Sequence, residues 1–443
     1  MCSASSKSKK HKNCETPSKI FKKIPFLKLA KATGFYCRKS KKLNPKFLVI
    51  GFIQMIAQGN ISFSNWAYHI NLLSGSLVSK QALHKKVNQA FVEYCLRVLH
   101  QLMINIISKA QQDNKIIKGT LSKFRNVYIQ DSTTFKLPVS LSWCYPGTIV
   151  KGALTSQLKI QTIYELKNNL FKYFKITSFR VNDQSCTNDI LSIVKHNDLV
   201  IRDMGYFNLL CFKKLINKGV SIISKVKYGV VMLDEKTGKR IDIIKLMKGK
   251  SKIEKWIFLG KEDKVRVRLL INRVHPITAS ERKRKASKDR NKKKNHSNDY
   301  YKNLDFSILI TNTESKDISI DQAFILYSLR WRIETIFKSW KSYNNLQKVI
   351  PTYNKLSKDR VDSIIVLSLI NIVIQHRMYQ VAILYNNNLG YVNQISLFKF
   401  IDYFKKEIID MLSNPTINIK KLVENCKYEK RNDRINYFNK LAL

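Results

Sequence analysis

The sequence predicts an α/β protein built on a mixed β-sheet, with helical regions before and after it. Three observations lead there. Between about residues 120 and 227 strand-like and helix-like segments alternate, which in a packed domain sets helices against a sheet. Inside that block LTSQLKIQTIYELK (154–167) alternates apolar and polar residues, Asn168-Asn169 supplies a turn and FKYFKITSF (171–179) runs back, the pattern of a hairpin or meander. On either side of it, the apolar residues recur at helical spacing.

In chain order, residues 1–48 hold fourteen Lys or Arg and a single acid, Glu15, with Pro17, Pro25 and Pro45 interrupting any long helix. A basic arm that orders on a polyanion is expected. Residues 49–119 are expected to be helical and to bind DNA. From Ser79, an N-cap, the run to Ala110 places Leu83, Val87, Phe91, Leu96, Leu99, Leu102 and Ile106 at helical spacing. Its early Lys80, His84, Lys85 and Lys86 make either a helix that reads DNA or an ordinary solvated basic face. Residues 120–227 form the first part of the core. VYIQD (127–131) and DLVIRD (198–203) are strands that each end in an acid; NDILSIVKH (188–196) and FNLLCFKKLINKG (207–219) are helices, and VSIISKVK (220–227) is a strand.

From 228 to 304 the alternation breaks. KWIFLG (255–260) and VRVRLLINRV (265–274) are β-like, and 281–295 carries nine basic residues and two acids. That stretch is either a solvated loop or a clamp on a phosphate backbone. Residues 305–385 resume the core with the strand FSILITNT (306–313), a long helix from near Ile320 and a buried helix around Ile364–Ile374. Residues 386–443 read as smaller amphipathic helices.

With 80 Lys plus Arg against 31 Asp plus Glu, the formal net charge is +49, while 44% of residues are hydrophobic. So much apolar residue excludes a disordered basic tail, and so much charge calls for a polyanionic partner, nucleic acid first. The opening MCSASSKSKKHKNC has no apolar signal region, and the eleven residues of Ile364–Ile374 are too few to cross a bilayer. No membrane role is expected. The eight cysteines show no C-x-x-C pair, as in the reduced thiols of a cytosolic protein without a zinc site or disulfide framework. His69, His84, His100 and His376 sit in helical, partly apolar contexts and are read as structural.

The chemistry gathers in DQAFILYSLRWRIETIFKSWKSYNNL (321–346). Tyr327, Arg330, Glu334 and Lys341 stand at offsets of 0, 3, 7 and 14. On an unbroken helix they would share about 60° of arc. Arg330 and Glu334 alone would be an ordinary i,i+4 ion pair. Asp131 and Asp203, each ending an apolar strand, change that weighting. Three acids from two strands and a helix would converge into an oxygen-rich site for divalent metal, and two such ions suit an in-line phosphoryl displacement.

The pattern Y-x2-R-x3-E-x6-K in YSLRWRIETIFKSWK (327–341) resembles the signature of DDE transposases of the bacterial insertion-sequence-four family. VYIQDSTTF is similar to that family's first-Asp strand and IRDMGYF to its second-Asp segment, with Met204 where the family usually has Arg. The resemblance covers roughly residues 80–385. It implies a ribonuclease-H-like core with an inserted β-rich region and cut-and-paste transposition of an insertion sequence. It further implies catalysis and metal binding by Asp131, Asp203 and Glu334, with two Mg²⁺ ions, or Mn²⁺ in their place. Tyr327, Arg330 and Lys341 are then expected on phosphates near the scissile end, with Lys338 one turn beyond Glu334. Phe306 takes the place of an aromatic that can stack on a flipped base, against its reading as a buried strand residue. Trp331, Ile333 and Phe337 are read as anchoring the helix to the sheet. Expected partners are double-stranded DNA, both the element's terminal inverted repeats and its target, and a second copy of the chain in a synaptic dimer, in the cytoplasm at the nucleoid. A binding-only transposase remnant and a metal-dependent nuclease on the same core are the alternatives.

Overall fold

The computed structural model describes residues 15–37, 43–113, 119–288, 296–350, 357–388 and 395–428. Among the described residues, ten strands form one sheet: β1 (Val127–Leu137), β2 (Pro146–Val150), β3 (Ala153–Glu165), β4 (Leu170–Ser178), β5 (Leu199–Arg202), β6 (Ser221–Lys225), β7 (Met232–Asp234), β8 (Lys252–Leu259), β9 (Val265–Arg273) and β10 (Phe306–Thr311). Their order is β2-β3-β1-β5-β6-β10-β9-β8-β7, with β4 also paired to β3. β1, β5 and β6 run parallel, and β1, β3 and β4 form the antiparallel meander that the alternating pattern predicts. The order β4-β3-β1-β5-β6 with these directions is that of a ribonuclease-H-like core.

Local chemistry explains the pieces. β5 is buried throughout its length, as a parallel strand covered on both faces must be. The β3–β4 turn closes at Asn169, whose φ of 52° is the left-handed conformation that asparagine tolerates. Helix Leu209–Asn217 carries the chain from β5 to β6 and stops at Gly219, with φ 69°, where a Cβ would lie 2.3 Å from the His196 ring. Strand alternation sends Ile129, Ile201 and Ile223 into a core shared with Leu326, Ile333 and Phe337. Their neighbours Tyr128, Val200 and Ile222 enter a second core with Phe212 and Leu215.

The segment LSKDRVDSIIVLSLINIVIQHRMYQVAIL (356–384), which reads as a long core-packing helix, forms helix Lys358–Asn388. Its span to Asn387 and Gln89–Ile107 are both long and apolar enough to cross a membrane by length and composition, but the most apolar stretch of the first is buried inside the protein. It packs on helix Gln89–Asp113 and β4. The helix expected from Ser79 is in fact two, Lys80–Lys86 and Gln89–Asp113, with Ser79 Oγ capping the first through Ala82 N–H at 3.2 Å.

Two expectations need correction. The basic arm is folded over 15–37: helices Pro17–Lys22 and Phe26–Ala32 bury Ile20, Phe21 and Phe26, and Glu15 pairs with the buried Arg377 at 2.5 Å. Each such apolar side chain is worth roughly 1.5–3 kcal/mol on burial, enough to hold a lysine-rich segment down; residues 1–14 and 38–42 lie outside the described residues. In the basic stretch 281–295, residues up to Ser287 belong to a helix, Pro276–Ser287, and Arg282 donates to the carbonyls of Leu304 and Phe306. Residues 289–295 lie outside the described residues. The inserted β-rich region lies where expected, as β7, β8 and β9 between β6 and β10, and is hydrogen-bonded into the main sheet, since β10 lies antiparallel between β6 and β9.

Candidate active site

β1 and β5 pair in parallel with Gln130 opposite Arg202. One residue further on, Asp131, midway along β1, and Asp203, just past the end of β5, are therefore neighbours on adjacent strands, about 5 Å apart along the hydrogen-bonding direction. Gln130 and Arg202 point to the back face, where Arg202 Nη2 donates to Gln130 Oε1 at 2.8 Å, so alternation turns both aspartates to the front. Helix Ile320–Ser328 lies on that face against β5 and β6, and helix Trp331–Lys338 lies against β1.

The signature segment is not one straight helix. A capping box of Ser319 and Gln322 starts it. At Leu329–Arg330 the ladder tightens to i→i−3 bonds, Arg330 N to Tyr327 O and Arg332 N to Leu329 O, and residues 339–343 form a π turn. Phase is gained at one joint and lost at the other. Even so, Tyr327 Oη donates to Asp203 Oδ1 at 2.9 Å. The Arg330 guanidinium reaches all three acids: Glu334 at 2.8 Å, Asp131 at 3.5 Å and Asp203 at 4.0 Å. Lys341 stands apart, exposed, with its ammonium 5.5 Å from the centre of the Phe135 ring, four residues along β1 from Asp131.

Two carboxylates about 5 Å apart repel by roughly 3 kcal/mol at an effective dielectric near 20. Burial raises the Asp131 carboxyl to about 7, against the Ser132 amide (2.8 Å from Oδ1) and Arg330, which lower it; Asp203 and Glu334 add to the rise. Burial also works against the charge on Arg330, but Asp203, Tyr327, Glu334 and Asp131 outweigh it and its pKa is raised. Burial and Asp203 push the Tyr327 phenol up, so it stays a hydrogen-bond donor.

Three carboxylates are the donor set a hard divalent cation takes, and a buried acid raised toward neutrality is one that a cation would relieve. The chemistry of these residues therefore fits a divalent metal. Among the described residues, no three His, Cys, Asp or Glu side chains stand at metal-ligating spacing; the guanidinium lies among the three acids instead.

A hydrogen-bonded seat that the sequence did not reveal lies under the aspartates. Asp183 Oδ1 accepts from Gln161 Nε2 (2.7 Å), Ser132 Oγ (3.0 Å) and the nearly buried Lys159 (3.1 Å). Gln161 in turn accepts from the buried Tyr206 hydroxyl. The residue after Asp131 and the turn after Asp203 are thus tied to one carboxylate. Asp183 is remote in sequence from its partners, and nothing in its local pattern marks it.

Beside Asp203 opens a cleft of about 880 Å³, whose lining includes Met204, Lys225, Lys227, Arg240, Arg282 and Lys285. Phe306 lies at its edge but is only 8% exposed, a residue of β10 with the Arg273 guanidinium 5.0 Å from its ring centre. Burial leaves it no free face for a base, contrary to the stacking expectation. Lys338 is exposed and reaches toward Phe398 rather than toward the acids. Ile333 and Phe337 are buried as expected, but Trp331 is 60% exposed, with the Arg330 guanidinium 5.2 Å from its ring centre. The tightened turn at 329–330 rotates it out of the core.

A family model described as the transposase DDE domain matches residues 122–360. The transposase for insertion sequence element IS231C of Bacillus thuringiensis subsp. berliner is 29% identical over 334 residues, 71% of this chain and 69% of that one. The transposase for insertion sequence element IS1151 of Clostridium perfringens is 27% identical over 423 residues, 87% and 88% of the two chains. Among solved structures, a piggyBac transposase synaptic complex with hairpin DNA aligns over 95% of this chain and 85% of that chain at 9% identity and a TM-score of 0.42, a likeness too loose to support an assignment.

Proposed function

The chain belongs to the transposase DDE domain family, and from that premise we propose that it moves an insertion sequence by cut-and-paste, with Asp131, Asp203 and Glu334 as the catalytic, metal-holding acids. It is a transposase, an enzyme of DNA phosphoryl transfer that depends on divalent metal. The observation that carries the assignment of the site is the single guanidinium of Arg330 touching all three carboxylates, two from adjacent parallel strands and one from the signature helix.

In the proposed reaction the phosphodiester at the element's end is hydrolysed to leave a 3′-hydroxyl, which then attacks the opposite strand or target DNA. The attacking and leaving atoms are both oxygen, so no covalent enzyme intermediate is needed. Two Mg²⁺ ions, with Mn²⁺ able to replace them, would be held by the three acids and would supply charge for the attacking and departing oxygens. The chain's own part is placement. The Asp183 seat fixes Ser132 next to Asp131, the buried Tyr206 secures the turn after Asp203, and the exposed Lys341 is set to take a phosphate along the line of β1. Lys225, Lys227, Arg282 and Lys285 give the DNA an electropositive path beside Asp203. The partners proposed are the element's inverted repeats, target DNA and a second copy of the chain bridging two ends, in the cytoplasm at the nucleoid.

The test incubates the protein with labelled terminal DNA, Mg²⁺ and a target plasmid. Joined products are expected, and they vanish in Asp131→Ala, Asp203→Ala and Glu334→Ala while DNA binding persists. Metal-dependent joining retained in any of the three removes that residue from the site. Cleavage without joining would mark a nuclease, and a shifted but intact band a binding-only remnant.

A further inference from the structure

Arg330 is placed where a metal-dependent site has no room for it. Its guanidinium lies among Asp131, Asp203 and Glu334, and its side chain is only 10% exposed. With all three acids ionised, as metal binding requires, three carboxylates and one guanidinium sum to −2. One divalent cation neutralises that set, and a second would leave the guanidinium confined with surplus positive charge. The guanidinium is also poorly satisfied where it sits. Only Glu334 is at hydrogen-bonding distance, the contacts to Asp131 and Asp203 are long, and Nε has no hydrogen-bond acceptor. Charge holds it there rather than the bidentate fit in which guanidinium binds best. Tyr327 is engaged in the same way, its hydroxyl spent on Asp203. Arg330 also sits at the tightened joint between two helices.

We infer that Arg330 is the resident counter-ion of the acid trio, displaced when a DNA phosphate offers it a better partner, so that binding of DNA and of divalent metal are positively coupled. The inference rests on the proposed reading of the three acids as metal ligands. Without DNA, metal must evict a buried cation that has nowhere to go. With DNA, a phosphate accepts both prongs of the guanidinium and the carboxylates are freed. Linkage makes the effect reciprocal: metal must strengthen DNA binding by the same factor. Free protein would then remain poorly loaded with metal until an end is bound, which limits indiscriminate cleavage.

The experiment reads metal binding rather than turnover. Free Mn²⁺ is followed by electron paramagnetic resonance as it is titrated into the full-length protein, alone and with a duplex carrying the element's terminus. The Asp131→Asn, Asp203→Asn protein with the same duplex serves as the blank. Without DNA, Arg330→Gln is expected to bind Mn²⁺ about tenfold more tightly than wild type, and Arg330→Lys, which keeps the charge, to stay close to wild type. Wild type is expected to gain about tenfold when DNA is added, and Arg330→Gln to gain little. Equal or weaker Mn²⁺ binding by Arg330→Gln overturns the inference. Should that variant not fold, absence of a DNA-dependent gain in wild type overturns it alone. Asp203→Asn separates the two levels: if it abolishes Mn²⁺ binding while wild type and Arg330→Gln bind equally, the counter-ion role falls and the metal site stands. If Mn²⁺ binding survives Asp203→Asn, the site reading falls and the inference with it.

Discussion

Replacing Asp131 by Asn should make the metal-free protein more stable at neutral and alkaline pH while destroying its activity. Asp131 has a raised folded-state pKa, from 3.8 to about 7, because burial disfavours its charge. Below pH 4 the carboxyl is protonated in both states and costs nothing. Above 4 the unfolded chain loses its proton while the folded one holds it. The penalty therefore grows until about pH 7 and is complete above it. A rise of roughly three units at 1.36 kcal/mol each gives a ceiling of about 4 kcal/mol. Asparagine keeps the oxygen that accepts from Ser132 N–H and carries no charge to bury. The assay is urea denaturation in EDTA from pH 4 to 8.5. Asp131→Asn should match wild type near pH 4 and exceed it by a few kcal/mol at pH 8, and divalent metal should stabilise wild type alone. Asp131→Asn no more stable than wild type at pH 8 would refute the reasoning, since Arg330 would then be compensating the buried carboxylate fully.

His376 is fully buried and lowered to about 3 by desolvation and by Arg332, so as pH falls below 6.5 the unfolded state takes up a proton the folded state refuses. Roughly 3 kcal/mol should be lost between pH 6.5 and 4.5, and His376→Leu should flatten that part of a stability-against-pH curve. Asp183→Asn, which weakens the seat under Ser132 and Gln161, should lower end cleavage about ten- to a hundredfold with terminal DNA still bound; cleavage at the wild-type rate would show the seat to be idle. Lys341→Ala should weaken DNA binding uniformly across sequences and reduce the slope of log affinity against log salt by about one, checked by fluorescence anisotropy at several salt concentrations.

What the sequence made legible was whatever depends on near neighbours. Strand alternation, the Asn168-Asn169 turn, the Ser79 cap and the acid that ends β5 are local patterns, and each holds in the structure, whereas β1 runs on past Asp131 to Leu137. The failures are non-local. Ile20, Phe21 and Phe26 are diluted by lysines, and helices elsewhere in the chain give them a core to enter: Leu397–Ser413 packs on helix Pro17–Lys22, and Gln89–Asp113 and Pro45–Gln58 pack on helix Phe26–Ala32. Treating 320–346 as an ideal helix overlooked one tightened turn and one π turn, so the exposure of Trp331 was lost although Tyr327, Arg330 and Glu334 still converge. Asp183 meets Ser132 beside Lys159 and Gln161 only because β1 lies beside β3, with Ser132 opposite Gln161, a pairing that no spacing around Asp183 announces.

The back of the sheet explains why the front can be trusted to assemble. In a parallel pair a slip of one residue turns every side chain to the opposite face, which would take Asp131 out of the site while leaving β1 and β5 still hydrogen-bonded. Apolar residues alone guard weakly against that, because Tyr128, Ile129, Val200 and Ile201 are buried on both faces. Arg202 guards strongly. It is fully buried with no carboxylate, held by Gln130 Oε1 at 2.8 Å, the Thr187 carbonyl at 2.7 Å and Cys211 Sγ at 3.2 Å, while Gln130 donates to the Cys186 carbonyl. A slipped register would leave a buried guanidinium without those acceptors, a loss of several kcal/mol. The polar lock lies one residue before each aspartate, so the energy that fixes the register acts where an error would separate the acids.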